Sequence, residues 1–288
     1  MKQHIRPVLL IITFISIFFL LCFPKLALAG SKEGLMLWFN TLIPTLLPFL
    51  ILSSLLRLLI PKRHNLWFMT GLGIISGYPI GAKLIAEMDT KGPKDFFLSA
   101  ANNPSPMFVL ILVGQTTLNL GGERYLFMAT LILCSLLSAF LGNLFLPNSK
   151  MLPVEQNQAS SEPLLKEIDN ILLTSFLTIT KIGGYVILFS IFSEFMTVFF
   201  ANYPTLQVLL AGSLELTSGI FLLQGAAFSI GKKIILASIL TGFGGLCALA
   251  QTKSVTLGTG LSIRYYLVRK LLCGLLAGLF SAIYLAFL

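Results

Sequence analysis

Charge is what this chain has least of. Only 11% of its 288 residues are Asp, Glu, Lys or Arg, against roughly 25% in a soluble domain. In their place 56% are hydrophobic, and the mean hydropathy is +0.90. That balance excludes an ordinary soluble domain and reads as a polytopic membrane protein. Histidine is nearly missing: His4 and His64 both stand at the edges of apolar runs. There is no HExxH, and no glycine-rich phosphate loop ending in Lys-Ser/Thr. A Ser76/Lys83 pair is about two helical turns apart in a continuous helix, which does not suit a dyad. No enzyme is expected. The four cysteines, Cys22, Cys134, Cys247 and Cys273, lie singly inside apolar stretches without a CxxC or a nearby His, and read as buried free thiols. The net charge of +9 comes from Lys and Arg scattered singly or in pairs at the ends of apolar runs. Such a pattern signals topology and predicts no nucleic-acid partner.

What is present is a succession of apolar runs with breaks. A spanning helix needs about 20 apolar residues, so the chain has room for roughly seven spans and some shorter pieces. The start, "MKQHIRPVLLIITFISIFFLLCFPKLALAG", has a basic head, an apolar core and an Ala-x-Ala end at Ala27 to Ala29, as cleaved secretory signals do. The run Val8 to Phe23 is long for such a signal, and Pro24 and Lys25 intervene, which favours an uncleaved first span. Next come a span with Pro44 and Pro48, a basic cluster at Lys62, Arg63 and His64, and an interrupted segment, Leu66 to Met88, holding "ISGYPIGAKLIAE". Phe96 to Leu118 is broken by "NNPSP", and Tyr125 to Leu146 is clean. The one extended polar stretch, 147–170, is rich in Pro, Ser, Gln and Glu and reads as a linker.

Beyond that linker the order recurs. Ile171 to Phe200 is a span containing Gly183-Gly184, Leu206 to Ile230 is an interrupted segment with "LELTSGIFLL", Ile234 to Val255 is broken by "TGFGG", and Leu267 to Leu288 is clean. An interval of 142 positions separates Ser76-Gly77 from Ser218-Gly219, and Asn102-Asn103 from Gly244-Gly245; it also separates the span ends Leu146 and Leu288. The expected organisation is a first helix with an interfacial segment (1–36), a first repeat (37–146), the polar linker (147–170) and a second repeat (171–288). If each interrupted segment is a hairpin that returns to its own side, each repeat crosses three times, and the odd number turns the second repeat over. Lysine and arginine agree. With the N-terminus in the cytoplasm, Lys2, Arg6, Lys62, Arg63, Lys91, Lys94, Lys150, Lys166, Arg264, Arg269 and Lys270 fall inside, and Lys25, Lys32, Arg124, Lys232 and Lys233 outside. The expected fold is therefore an all-α polytopic membrane protein with inverted structural repeats, each carrying a re-entrant helical hairpin and a broken transmembrane helix.

Non-helical backbone at bilayer depth is tolerated only against protein or a wet cavity. Unwound helices at matching places in inverted repeats point to a midplane transport site, with half-helix N-termini aimed at its occupant. The expected binding residues flank the breaks: Ser76, Gly77, Tyr78 and Lys83; Asn102, Asn103 and Ser105; Lys181; Glu215, Thr217 and Ser218; Gly244 and Gln251. Ser76 is expected to cap the returning helix of the first hairpin. Lys83 and Glu215 are expected to approach each other if the hairpin tips meet, Glu87 sits one turn from Lys83 and can pair with it, and Glu194 and Lys253 lie nearer the span ends. No side-chain signature identifies a coupling ion, Na+ or H+.

"SKEGLMLWFNTLIPTLLPF", "SGYPIGAK", "NNPSPMF", "KIGGYVILFS", "LELTSG" and "GFGGLCALAQ" together resemble, over nearly the whole chain, the YlbJ-like sporulation integral membrane family. That family falls in the nucleoside-recognition, or Gate, group related to concentrative nucleoside transporters. The resemblance implies an inverted-repeat transporter with two hairpins, a homo-oligomeric state, and residence in the cell membrane of a spore-forming bacterium, such as the outer forespore membrane. It also implies a role in passing a small solute, dipicolinate, to the spore. Lys83, Lys181 and half-helix N-termini suit a dicarboxylate; a nucleoside would call instead on Asn102, Asn103, Gln251 and Glu215. A non-transporting scaffold of the sporulation membrane is the alternative outside transport. The inverted arrangement predicts that single cysteines introduced at Lys62 and Lys150 react with an impermeant thiol reagent from the same face of the membrane; labelling from opposite faces would break the crossing count.

Overall fold

The computed structural model describes residues 2–59, 66–88, 92–147, 149 and 164–287. The basic cluster at Lys62 to His64, Asp89 and Lys91, and most of the expected 147–170 linker, Lys150 included, lie outside the described residues. Within hydrocarbon a chain satisfies its own amides best as helix, and among the described residues there is no strand. The chain is an all-α polytopic membrane protein. Among the described residues five helical stretches are long and apolar enough to cross a bilayer: Pro24–Leu56, Glu123–Phe145, Leu164–Phe199, Ile230–Val255 and Ile263–Ala286.

The elements are α1 (Lys2–Cys22), α2 (Pro24–Leu37), a π-helical turn (Trp38–Leu42), α3 (Ile43–Leu59), α4 (Leu66–Ser76), α5 (Ile80–Ala86), α6 (Lys94–Ala101), a second π-helical stretch (Phe108–Thr117) and α7 (Glu123–Phe145). They continue with α8 (Leu164–Phe199), α9 (Pro204–Leu214), α10 (Leu216–Gly225), α11 (Ile230–Phe243), α12 (Gly245–Val255) and α13 (Ile263–Ala286). Proline explains two of the boundaries. Pro24 opens α2, where a missing N–H is harmless. Pro44 follows the first π-helical turn, in which Ile43 N–H donates to Trp38 O five residues back, and that wider turn accommodates a ring that would clash in a regular helix. Ala27 to Ala29, the Ala-x-Ala of the sequence, lies inside α2, which packs along α8.

Small residues set how closely the helices approach. A Cβ on Gly30 would lie 2.6 Å from Ile191 Cα and one on Gly34 2.7 Å from Ile187 Cα, so the Gly-x-x-x-Gly face of α2 lies directly on the α8 backbone. α8 is unbroken at Gly183-Gly184; Gly183 makes room for the Trp38 indole, whose Nε1–H donates to Ile179 O at 2.8 Å.

Both hairpins exist, and glycine closes each. Residues seven or eight apart in one straight helix are separated by about 10 Å or more. Yet a Cβ on Gly73 would lie 2.9 Å from Gly81 Cα, and one on Gly219 2.2 Å from Gly212 Cα. The chain thus doubles back between α4 and α5 and again between α9 and α10. The first turn is Gly77-Tyr78-Pro79, with Gly77 at φ +77 and a cis Tyr78-Pro79 bond. The second turns at Glu215 alone. The equivalence of Ser76-Gly77 with Ser218-Gly219 is therefore corrected: Ser218 and Gly219 sit inside the returning helix, and the matching feature is the glycine contact. The 142-residue interval holds at the other break, where Asn102 ends α6 and Gly244, at φ +84, separates α11 from α12.

Two apolar cores mix the halves of the chain. In one, α4, α5 and α6 pack with Leu46 and Leu50 of α3, Ile179, Ile182 and Val186 of α8, and Cys247 of α12. In the other, α9, α10, α11 and α13 pack with Val109 and Val113 of the second π-helical stretch and with Phe127, Leu131 and Cys134 of α7. Each hairpin is held by helices from the other half. Gly219→Ala is expected to reduce the melting temperature of the purified protein by the equivalent of ~1–3 kcal/mol of overpacking or more. Gly184→Ala, whose added methyl meets nothing within 4 Å, should leave it unchanged or raise it by ~0.5–1 kcal/mol; equal effects would refute the hairpin contact.

Candidate functional site at the convergence of the helix breaks

Each break exposes backbone that needs partners, and the partners tie the breaks together. Asn102 is fully buried. Its Oδ1 accepts from Ala82 N–H at 3.2 Å, serving a first-turn amide of α5. Its Nδ2 donates to Thr252 Oγ1 and to Tyr266 Oη, each at 2.7 Å, and Tyr266 Oη donates back to Asn102 O at 3.1 Å. One carboxamide therefore joins the first hairpin to α12 and α13. Tyr78 N–H donates to Asn103 O at 2.8 Å, and Gly77 presses on Ser105, where a Cβ would meet Ser105 Cβ at 2.8 Å. Ser105 Oγ accepts from Phe108 N–H at 3.3 Å and starts the π-helical stretch. Ser76, expected as the cap of α5, instead donates to Leu72 O at 2.8 Å within its own helix. The turn Gly77-Tyr78-Pro79 carries the chain past Ser76 before α5 begins, so the cap comes from another element.

The second hairpin is capped from within. The Glu215 carboxylate accepts from Ser218 N–H at 2.7 Å and Ser218 Oγ at 3.1 Å, closing the first turn of α10, where Thr217 also lies. Ser218 Oγ is also 3.2 Å from Glu33 Oε1 of α2. A Cβ on Gly245 would lie 3.5 Å from Leu216 N, and one on Gly244 3.8 Å from Tyr78 Cε1. Both hairpin tips therefore flank Gly244-Gly245.

A cavity opens on either side of this junction. The smaller, about 130 Å³, is lined by Lys83 and Glu87 of α5, Lys181 and Tyr185 of α8, and Gln251 and Ser254 of α12. The larger, about 550 Å³, is lined by Glu33, Ser193, Glu194, Gln207 and Ser218 among others. Lys181 and Glu194 are 13 positions apart in α8, about 20 Å along its axis. Basic and acidic chambers thus stand at different levels of one helix, with the hairpin tips between them. Lys83 and Glu215 do not meet: Lys83 lies in the first chamber with Lys181 and Gln251, whereas Glu215 is engaged with Ser218 beside the second.

Sequence reasoning left two sets of residues out of the expected site. Thr252 and Tyr266 complete the Asn102 network, and only their spacing in the fold identifies them. Lys94, Arg269 and Lys270, read as membrane-surface charges, are buried, with relative exposures of 3%, 0% and 3%. Lys94 Nζ donates to Met88 O, Lys270 Nζ donates to Asn103 Oδ1 at 2.9 Å, and Arg269 lies against Gly142 of α7 with none of its guanidinium nitrogens hydrogen-bonded. All three are packed among the helices and are not open to solvent. Asp95, beside Lys94, accepts from Ser149 N–H and Ser149 Oγ, both at 2.7 Å.

An all-α membrane protein whose interrupted helices meet between two polar chambers is the class that this architecture defines. The chain is similar to the sporulation integral membrane protein YlbJ of Bacillus subtilis (strain 168), with 26% identity over 324 aligned positions that cover 89% of this chain and 77% of that protein. No family model matches the chain, and no solved structure matches it. The Asn102 network makes a direct demand: Asn102→Ala leaves Ala82 N–H, Thr252 and Tyr266 without this partner, at ~1–3 kcal/mol for each buried group left unsatisfied. A clear fall in melting temperature is expected; an unchanged value would show that the carboxamide is not the cross-link.

Proposed function

We propose that this protein is a secondary transporter that moves a small anionic metabolite, dipicolinate in the first instance, across the membrane of a sporulating bacterium, in keeping with the sporulation role in the relative's name. The observation that carries this reading is the meeting of the hairpin tips at Gly244-Gly245 between two chambers. A carrier needs access to one site from either side in turn, and interrupted helices at mid-membrane supply both the bare N–H groups and the moving parts. Lys83 and Lys181 outnumber the one carboxylate of the smaller chamber, Glu87, and leave it a positive charge for an anion, with Gln251 and Tyr185 beside them. The coupling ion is Na+ or H+, and the carboxylates of Glu33, Glu194 and Glu215 around the larger chamber are the groups able to take either. The outer forespore membrane is the location that fits the direction of such a flux.

A nucleoside fits less well. Of the four side chains it would call on, Asn102 is committed to Ala82, Thr252 and Tyr266, Asn103 accepts from Lys270, Glu215 accepts from Ser218, and Gln251 donates to Cys247 Sγ. Purified protein in lipid vesicles is expected to accumulate labelled dipicolinate above empty vesicles, and a Lys83→Ala/Lys181→Ala double variant to do so about tenfold more slowly, a loss of ~1.4 kcal/mol. Excess uridine should leave the rate unchanged. Uptake equal to that of empty vesicles would point to the scaffold, and competition by uridine to a nucleoside carrier.

A further inference from the structure

The centre of the fold holds a cation that no carboxylate among the described residues answers. Lys270 is 3% exposed on α13, and Asn103 Oδ1, a neutral acceptor, is its one hydrogen-bond partner among the described residues. An ammonium has three donors, so two remain for something else. Its side chain runs beside the left-handed residue Gly244: a Cβ there would lie 3.8 Å from Lys270 Cε and equally far from Tyr78 Cε1. Tyr78, Gly244, Tyr266 and Lys270 surround a gap too narrow for a water molecule, so hydration does not stabilise the charge either. The preceding residue, Arg269, is also fully buried and without a hydrogen bond to its guanidinium among the described residues, but it has Asp95 as a nearby counter-charge, which Lys270 lacks among them. Ionisable side chains inside a membrane fold usually pair or mark a solute pathway, and removing one partner of a buried pair is strongly destabilising.

We propose that Lys270 is the residue that binds the anionic group of the transported solute, a carboxylate received between the Tyr78 tip and Gly244 when the first hairpin moves away from α12. This rests on the transporter reading above and locates its innermost contact. Lys83 and Lys181 line the approach; Lys270 is where the charge is neutralised. Asn103 occupies the ammonium while the gap is closed and yields it to the incoming oxygen.

Thermal unfolding of the purified full-length protein in detergent tests this without relying on transport. Dipicolinate is expected to raise the melting temperature in a saturable way, and its uncharged diamide to do nothing. Lys270→Met should lose the dipicolinate response, with at least tenfold weaker apparent affinity, yet melt no lower than the unsubstituted protein without ligand, because a buried unpaired charge is gone. Lys253→Gln, at an exposed position, should behave as the unsubstituted protein. Should Lys270→Met fail to accumulate, Asn103→Ala decides: it removes the competing acceptor and keeps the ammonium, so a tighter dipicolinate response is expected, and a weaker or unchanged one overturns the proposal. It is also overturned if Lys270→Met keeps the unsubstituted dose response, or if dipicolinate, acetate and chloride all leave the unsubstituted protein unmoved. Anion-dependent stabilisation that is lost in Lys270→Met, together with no uptake into vesicles, would uphold the site and refute only the carrier.

Discussion

Backbone amides cannot be left bare inside a bilayer, and every unusual feature of this chain follows from the ways it meets that constraint while still unwinding four of its helices. The Asn102 carboxamide is the clearest case. It ends α6, completes the first turn of α5 and reaches Thr252 and Tyr266 across the protein. Able to accept and donate at once, this one side chain ties the first hairpin to the second half of the chain. Glu215 does the local equivalent for the second hairpin by capping α10 through Ser218.

Glycine determines where these ties can form. Gly73 against Gly81, and Gly219 against Gly212, bring antiparallel helices within backbone contact, and Gly77 and Gly244 take left-handed conformations that place the turns. The tips are thereby held against Gly244-Gly245, with a basic chamber on one side and an acidic one on the other. A two-chambered, narrow-waisted interior is the geometry that an alternating carrier requires.

The interleaving of the two cores gives this arrangement its coupling. The first hairpin rests on α8 and α12, while the second rests on α7 and the π-helical stretch beside it. A shift of either hairpin is thus felt by helices of the other half. Arg269 and Lys270, two of the three buried cations among the described residues, belong to α13, which touches α6, α7, α11 and α12.

Much of this was legible in the amino-acid order. Low charge and long apolar runs, read against the length of a membrane span, were enough for the all-α polytopic class. Glycine and proline at "SGYPIGA", "NNPSP" and "TGFGG" marked three of the breaks, because those residues change the backbone wherever they stand. Asn102 could be singled out because a carboxamide in an apolar run has few structural uses. The tertiary structure alone decided which polar groups meet. Ser76 lost its expected role as a cap because the turn carried the chain past it, Lys83 went to the smaller chamber while Glu215 capped α10, and Tyr266, Thr252 and Lys270 entered the centre. A lysine at the end of an apolar run reads the same whether it faces lipid headgroups or the interior; only the rotation of α13 against α7 and α11, set by the contacts of Gly142, Gly274 and Gly278, turned Arg269 and Lys270 inward.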